Sequence, residues 1–331
     1  MITRHLGSHG PAVSALGLGC MGMSDLYGAT DDDESIATIH AALDAGVTLL
    51  DTGDYYGMGH NELLLRKALR GRARERFVLS VKFGALRDPD GRWIGIDGRP
   101  AAVRNFLAYT LKRLGTDYVD IYRLGRLDPV VPIEETVGAI AQMIRAGHVR
   151  HVGLSEVGAE TLQKAHAAHP IADLQIEYSL ISRGIEDRIL PAARALGVGI
   201  TAYGVLSRGL LSGHWSKERK LEKGDFRNYL PRFSGENLER NLALVTAVKD
   251  VAAARRATVA QVAIAWVLAR GEHIVPLVGA RTRARLAESL AALAVTLTPE
   301  EVARLDAAVP PEAVAGTRYD ANQMRALDSE K

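Results

Sequence analysis

The sequence predicts one (β/α)8 TIM barrel with an N-terminal β-hairpin and long loops on its C-terminal face, and three observations carry that expectation. Eight short apolar, β-rich runs recur with helical patterns between them, as repeated βα units around a parallel sheet require. Most of these runs are almost continuously apolar, as in strands covered on both faces; a half-exposed antiparallel strand would alternate. No Pro- or Gly-rich linker divides the 331 residues. A single domain, 1–331, therefore fits a barrel whose common size is ~250 residues before insertions.

The elements follow in order. The opening "MITRHLGSHGPAVSAL" has a glycine turn between two β-like runs and predicts a hairpin closing the barrel bottom. The barrel strands are "SALGLG" (14–19), "VTLLD" (47–51), "FVLSVK" (77–82), "YVDIY" (118–122), "VRHVGLS" (149–155), "DLQIE" (173–177), "VGITAY" (198–203) and "HIVPLVG" (273–279). The first helix, "DDESIATIHAALDAG", begins with carboxylates that complement the helix dipole and has Gly46 just past its end, where a left-handed cap forms readily. Further helical patterns lie at 60–70, 100–114, 133–146, 159–168 and 187–196. The interval before the last strand is far longer: a Gly-, Ser- and Arg-containing stretch, 205–235, precedes helical patterns at 236–255 and 258–270. A loop of that length in a compact domain is expected to act as a lid or clamp.

Composition narrows the function classes. With 47% hydrophobic and 24% charged residues, the chain has the make-up of an ordinary soluble globular protein. No run approaches the ~20 apolar residues that span a bilayer, and the N-terminus lacks the apolar stretch of a secretory signal, so a cytoplasmic protein with no membrane partner is expected. One cysteine, Cys20, excludes an internal disulfide framework and a Cys-rich zinc site. The formal charge is +2, and the densest basic cluster, "RGRARER" (70–76), is short and free of interleaved aromatics; it reads as a solvated helix end, and no nucleic-acid partner is expected. His148, His151, His166 and His169 lack ligand spacing with strand-end carboxylates, so no metal is expected.

The string Gly17-Leu-Gly19-Cys-Met-Gly22 satisfies G-x-G-x-x-G but fails its context as a Rossmann fingerprint. No helix opens on Gly22, and positions 39–42 are Ile-His-Ala-Ala inside a helix where an acidic strand end is needed. The chemical residues sit instead where a barrel places them, at C-terminal strand ends and in the loops that follow. Asp51 ends one strand, Lys82 ends the next, and Tyr56 lies in the loop "TGDYYGMGHNE" between them. Asp51 and Lys82 are natural partners, because an isolated buried charge is expensive. An ammonium beside a phenol is expected to lower the tyrosine pKa from ~10, making Tyr56 a proton donor to a carbonyl oxygen.

These residues belong to a longer pattern: "LGLGCMGM", "LLDTGDYYGMGHNE", "VKFG", "YVDIYRLGRLDP", "VRHVGLSE", "DLQIEYSL", "AYGVLSRGLLSG" and "PLVGARTRARLAESL", running from 16 to 289. In this combination and order the chain resembles the aldo-keto reductase family, in particular the branch with bacterial reductases and potassium-channel β subunits. The resemblance implies an oxidoreductase that uses NADPH (NADP+) without a Rossmann fold. Asp51, Tyr56 and Lys82 then match three of its four catalytic residues. The fourth, a histidine that polarises the substrate carbonyl, falls on Gly125. The missing side chain is expected to open space beside the reacting carbon, so that the pocket accepts a bulky ketone. Tyr27, Tyr55 and Trp93 are expected to line that pocket. An NADPH-binding sensor or regulatory partner with little turnover is the alternative. Arg126 matches a structural arginine, and His60 is expected to cap the helix it opens.

The same resemblance implies the cofactor site. Ser155 and Gln175 would bond the carboxamide and Tyr203 would stack on the nicotinamide, although Glu156 stands where the family has asparagine. Gly204, Leu206, Ser207, Arg208 and Gly209 would hold the pyrophosphate. Gly279, Arg281, Arg285, Glu288 and Ser289 would take the adenosine end, with the two arginines on a 2′-phosphate. Identity of the substrate and oligomeric state are left open.

Overall fold

The computed structural model describes residues 1–216 and 218–331. Its strands are β1 (Thr3–His5), β2 (Ala12–Ser14), β3 (Gly17–Gly19), β4 (Leu49–Gly53), β5 (Val78–Phe83), β6 (Ala85–Arg87), β7 (Trp93–Ile96), β8 (Val119–Leu124), β9 (Val149–Ser155), β10 (Ile171–Glu177), β11 (Gly199–Tyr203) and β12 (Ile274–Gly279). Eight of them close a parallel barrel in the order β10-β11-β12-β3-β4-β5-β8-β9, with β9 returning to β10. The (β/α)8 expectation holds, with each anticipated strand present and its ends shifted by a few residues.

The helices are α1 (Asp32–Asp44), α2 (His60–Leu69), α3 (Pro100–Leu114), α4 (Ile133–Arg145), α5 (Ala159–Ala168), α6 (Ile189–Ala195), α7 (Gly235–Ala254), α8 (Val259–Ala269), α9 (Arg283–Ala291), α10 (Pro299–Ala308) and α11 (Ala321–Ala326). Local chemistry sets their ends. The Asp31 carboxylate caps α1 by accepting from the backbone N–H of Asp33 and Glu34, while Thr258 and Thr298 form capping boxes with Gln261 and Glu301. Among the described residues no single helix is long and apolar enough to cross a membrane.

The N-terminal hairpin pairs β1 with β2 in antiparallel register and plugs the barrel bottom. Its Leu6 and Val13 pack on the inward side chains of Leu49, Ile121, Val275 and Leu277. The larger core lies between the outward face of the sheet and the helices. Above the plug the barrel interior turns polar, with Asp51, Ser80, Lys82, Arg123, Asp173, Gln175 and Thr201 all buried. Two features go beyond the sequence reading. A second hairpin, β6 with β7, stands between β5 and α3, and the chain after α10 folds back toward the C-terminal face of the barrel.

Candidate active site

At the middle of β4, the Asp51 carboxylate receives three donors. Lys82 Nζ bonds Oδ1, while Ser80 Oγ and Gln175 Nε2 each donate to Oδ2 at 2.7 Å. Ser80 also accepts from Arg123 Nη2 at 2.8 Å, and Arg123 pairs with Asp173 at 3.1 Å. One buried chain of polar groups therefore crosses the barrel. Its charges are tolerable there because each meets an opposite charge, although Arg123 Nε and Nη1 and Asp173 Oδ1 are buried without a hydrogen-bond partner. Arg123 belongs to this interior chain and does not face the mouth.

Tyr56 opens the turn after β4 and is 7% exposed, beside Lys82 at 3% and Asp51 at 2%. Lys82 Nζ lies 5.2 Å from the centre of its ring. The loop is held by Asn61, which the sequence reading did not single out: its amide donates to the Cys20 carbonyl at 2.8 Å and to Ser24 Oγ at 2.7 Å, while its oxygen accepts from Thr52. His60 is tied to the same wall, with Nδ1 2.8 Å from Ser24 Oγ and Nε2 3.2 Å from Asp32. It is the first residue of α2, after the left-handed Gly59, and its ring nitrogens are engaged away from Tyr56.

The electrostatics of Tyr56 correct one expectation. Burial pushes its phenol well above the ordinary value, the neighbouring Tyr55 and Asp51 add to the rise, and Arg126 opposes it. A phenol lowered by Lys82 is not what the structure holds. The Lys82 ammonium is spent on Asp51, and burial pulls its own pKa down. Tyr56 thus carries its proton at neutral pH, as an acid must.

A second correction concerns Gly125. A Cβ placed there would lie 3.0 Å from Tyr55 Oη and 3.2 Å from Tyr55 Cε1. The place of the missing side chain is filled by Tyr55, so it is not free space. The Tyr55 ring stands edge-on to Tyr56 (centres 5.0 Å apart) and to Trp93 of β7 (5.8 Å), which is 47% exposed at the rim. Arg126 bonds its neighbour's carbonyl, Gly125 O, at 2.7 Å and reaches the Tyr319 hydroxyl at 3.4 Å. Tyr27 is placed elsewhere on the rim: the Arg227 guanidinium lies 5.2 Å from its ring centre, and its carbonyl accepts from Arg281.

The residues implied for the cofactor are on this same face. Ser155 ends β9, and Tyr203 ends β11. After Gly204 and Leu206 the backbone turns left-handed at Ser207, Arg208 and Gly209 in succession (φ 45°, 54° and 104°). Strain at two non-glycine residues is kept where it has a use; the Ser207 and Gly209 N–H groups are taken by the Gly204 and Leu206 carbonyls (2.6 and 2.9 Å), so side-chain donors around the turn are what it offers an anion. The Ser207 hydroxyl is buried without a partner, as is the Trp215 Nε1–H. Two orphaned side-chain donors beside this turn fit a pyrophosphate group. Arg208 departs from expectation: its guanidinium pairs with Glu177 at 2.9 Å. Arg227, not singled out from the sequence, donates to the Arg208 carbonyl, and its charge and those of Arg281 and Arg285 all act on Arg219. Arg281 bonds the carbonyls of Tyr27 and Ala29, and Arg285 pairs with Glu288, whose other oxygen is 3.6 Å from His214. Gly279 ends β12 with open space at its Cα, and Ser289 is buried in α9. Most of 205–235, expected to act as a lid, straps this region to the loop after β3 through the Phe226 N–H to the Leu26 carbonyl at 2.9 Å; residue 217 lies outside the described residues. Among the described residues no cluster of His, Cys, Asp or Glu could hold a metal ion.

The C-terminal segment completes the mouth. Tyr319 places its hydroxyl 2.9 Å from that of Tyr203, and Arg318 grips Glu156 through two hydrogen bonds of 3.0 and 2.6 Å. Ser329 also donates to Glu156 at 2.6 Å. Glu156, in the place of an asparagine, is thus an anchor for the tail. Burial works to raise its pKa, but Arg318, Arg126 and Ser329 overcome it and pull the carboxyl down to about 2. A folded pKa below the unfolded ~4.3 means that this stabilisation is complete above the unfolded value and is lost as pH falls toward about 2. Thermal stability is therefore expected to fall as pH drops from roughly 4.5 to 2, with hydrogen exchange rising across 316–331. Glu156→Gln should lose stability at neutral pH and part of that acid limb; an unchanged profile would refute the anchor.

Comparison with known proteins agrees with this geometry. The model of the Aldo/keto reductase family matches residues 15–310. The Glycine max protein named "Probable aldo-keto reductase 1" is 41% identical over 317 residues, 95% of this chain and 90% of its own length. A glycerol dehydrogenase from Gluconobacter oxydans superposes with a TM-score of 0.84 at 30% identity, covering 93% of this chain and 96% of that one. A Bacillus halodurans aldo-keto reductase in its holo form gives 0.78 at 27% identity, covering 94% and 97%. The closed parallel barrel, the Asp51–Lys82 pair beside Tyr56 and these matches over nearly the whole length lead to one assignment: the chain belongs to the aldo/keto reductase family.

Proposed function

We propose that the chain reduces an aldehyde or ketone to an alcohol with NADPH, with Tyr56 as the proton donor. The observation that carries this reading is the placement of a proton-bearing phenol beside the buried Lys82–Asp51 pair, at a barrel mouth that also presents the unpartnered Ser207 hydroxyl and Trp215 Nε1–H. When bound, the reduced nicotinamide supplies hydride to the carbonyl carbon. Tyr56 gives its proton to the oxygen, and Asp51 holds Lys82 charged and oriented behind it. The width of the pocket is set by Tyr55 and not by the bare Cα of Gly125, so the open space that favoured a bulky ketone is absent and the substrate class is aldehyde or ketone.

NADPH preference rests on Arg281 and Arg285, whose present bonds are exposed and cheap to exchange for a 2′-phosphate. With ~1.5–3 kcal/mol for each charge-assisted contact, NADPH should bind far more tightly than NADH. Arg281→Ala/Arg285→Ala should narrow the gap while NADH binding persists, and equal dissociation constants in the native protein would sink the assignment.

A second reading, an NADPH-binding sensor or regulatory partner with little turnover, draws on the bonds that already engage Gln175, Tyr203 and Arg208. A screen of NADPH oxidation against small aldehydes, sugars and bulky ketones, with cofactor binding followed by fluorescence, separates the two. Turnover supports the reductase; tight binding with no carbonyl reduced supports the sensor.

A further inference from the structure

Tyr55 has no part in the steps above, yet its hydroxyl is the group that meets Gly125. The phenol is half-buried, its ring is fixed between Tyr56 and Trp93, and its oxygen lies 3.0 Å from where a Cβ at position 125 would be. The rings of Tyr55 and Tyr56 also converge on one point: a Cβ built on Gly53 would lie 3.3 Å from Tyr56 Cζ and 3.4 Å from Tyr55 Cε1. Among the described residues neither hydroxyl is bonded to a neighbour. Adjacent residues thus set two phenol rings side by side at the same mouth. A Cβ at 125 would crowd Tyr55 and a longer side chain would have to displace it, so glycine there and tyrosine at 55 form a matched pair.

We propose that Tyr55 is a second catalytic residue, a hydrogen-bond donor that polarises the substrate carbonyl in the place left open by Gly125. The proposal rests on the reductase reading above. In the step, hydride adds to the carbonyl carbon while NADPH becomes NADP+, the C=O π pair moves to oxygen, and Tyr56 transfers its proton to that oxygen. Tyr55 keeps its own proton throughout and donates to the oxygen as charge develops. Such a donor contributes most when negative charge peaks, so its loss falls mainly on kcat. Burial raises the Tyr55 phenol well above its ordinary value, with Arg126 opposing and Asp54, Asp51 and Tyr319 adding, which keeps the donor protonated through the neutral range.

The test uses the full chain with benzaldehyde and cyclohexanone as carbonyl probes. Tyr55→Phe retains the ring and its contacts and is expected to lower kcat/KM by ~10²-fold. NADPH affinity and the thermal midpoint should stay unchanged. The dissociation constant of cyclohexanone from the unreactive complex with NADP+ should rise about fivefold, the scale of one neutral hydrogen bond. Gly125→His alone must displace Tyr55 and should not improve turnover, whereas Tyr55→Ala/Gly125→His should recover at least tenfold of what Tyr55→Ala loses, because an imidazole then occupies the vacated place. Tyr55→Phe within twofold of the native protein, with Tyr56→Phe inactive, would overturn the proposal and leave Tyr55 as packing. A native protein that binds NADPH yet reduces neither probe would instead overturn the reductase reading beneath it.

Discussion

Tyr56→Phe is expected to lower carbonyl reduction by ~10²-fold or more while NADPH affinity stays nearly intact, the usual scale for a positioned acid. The phenol sits in a buried turn after β4, and burial keeps it protonated at neutral pH. Removing one oxygen from a ring 7% exposed leaves its packing in place. A steady-state comparison of native and variant protein, with NADPH binding measured in parallel, checks it. Retained turnover in Tyr56→Phe would move the proton donor elsewhere, first to Tyr55.

The second large effect is expected on both stability and rate. Lys82→Met removes one partner of a buried pair and leaves the Asp51 carboxylate facing only Ser80 and Gln175. An uncompensated buried charge of this kind costs ~3–5 kcal/mol, readable as a lower denaturation midpoint in urea. Activity at neutral pH should fall as well, because the charged group held behind Tyr56, 5.2 Å from its ring centre, is gone. Stability within about 1 kcal/mol of native would mean that Asp51 takes up a proton instead.

Much of this architecture is legible in the sequence because each barrel strand is covered on both faces and reads as an apolar run bounded by turn residues. The charged ends of two such runs, Asp51 and Lys82, could be paired from position alone, and the structure joins them. Contacts made by side chains far apart in the sequence leave no such trace. Tyr319 meets Tyr203 across 116 positions, Arg318 meets Glu156 across 162, and neither pairing has a periodicity that would announce it. The filling of Gly125 by Tyr55 is hidden for the same reason: a glycine in a string marks a missing side chain, and the neighbour that takes its place comes from another strand end. The resemblance implies Arg208 on phosphate, yet Glu177, 31 positions away, holds it. The rise in the Tyr56 pKa is likewise a property of enclosure, which pairwise charges read from a sequence do not contain.

The most direct test of the central claim follows one isotope. NADPH carrying deuterium at the transferable position of its nicotinamide is mixed with the native protein and cyclohexanone, and the cyclohexanol is analysed by mass spectrometry. Hydride transfer to the carbonyl carbon predicts one deuterium on the carbinol carbon for each NADPH oxidised, and Tyr56→Phe should slow its appearance without changing its position. Alcohol formed without the label, or cofactor oxidised with no alcohol formed, would contradict the account.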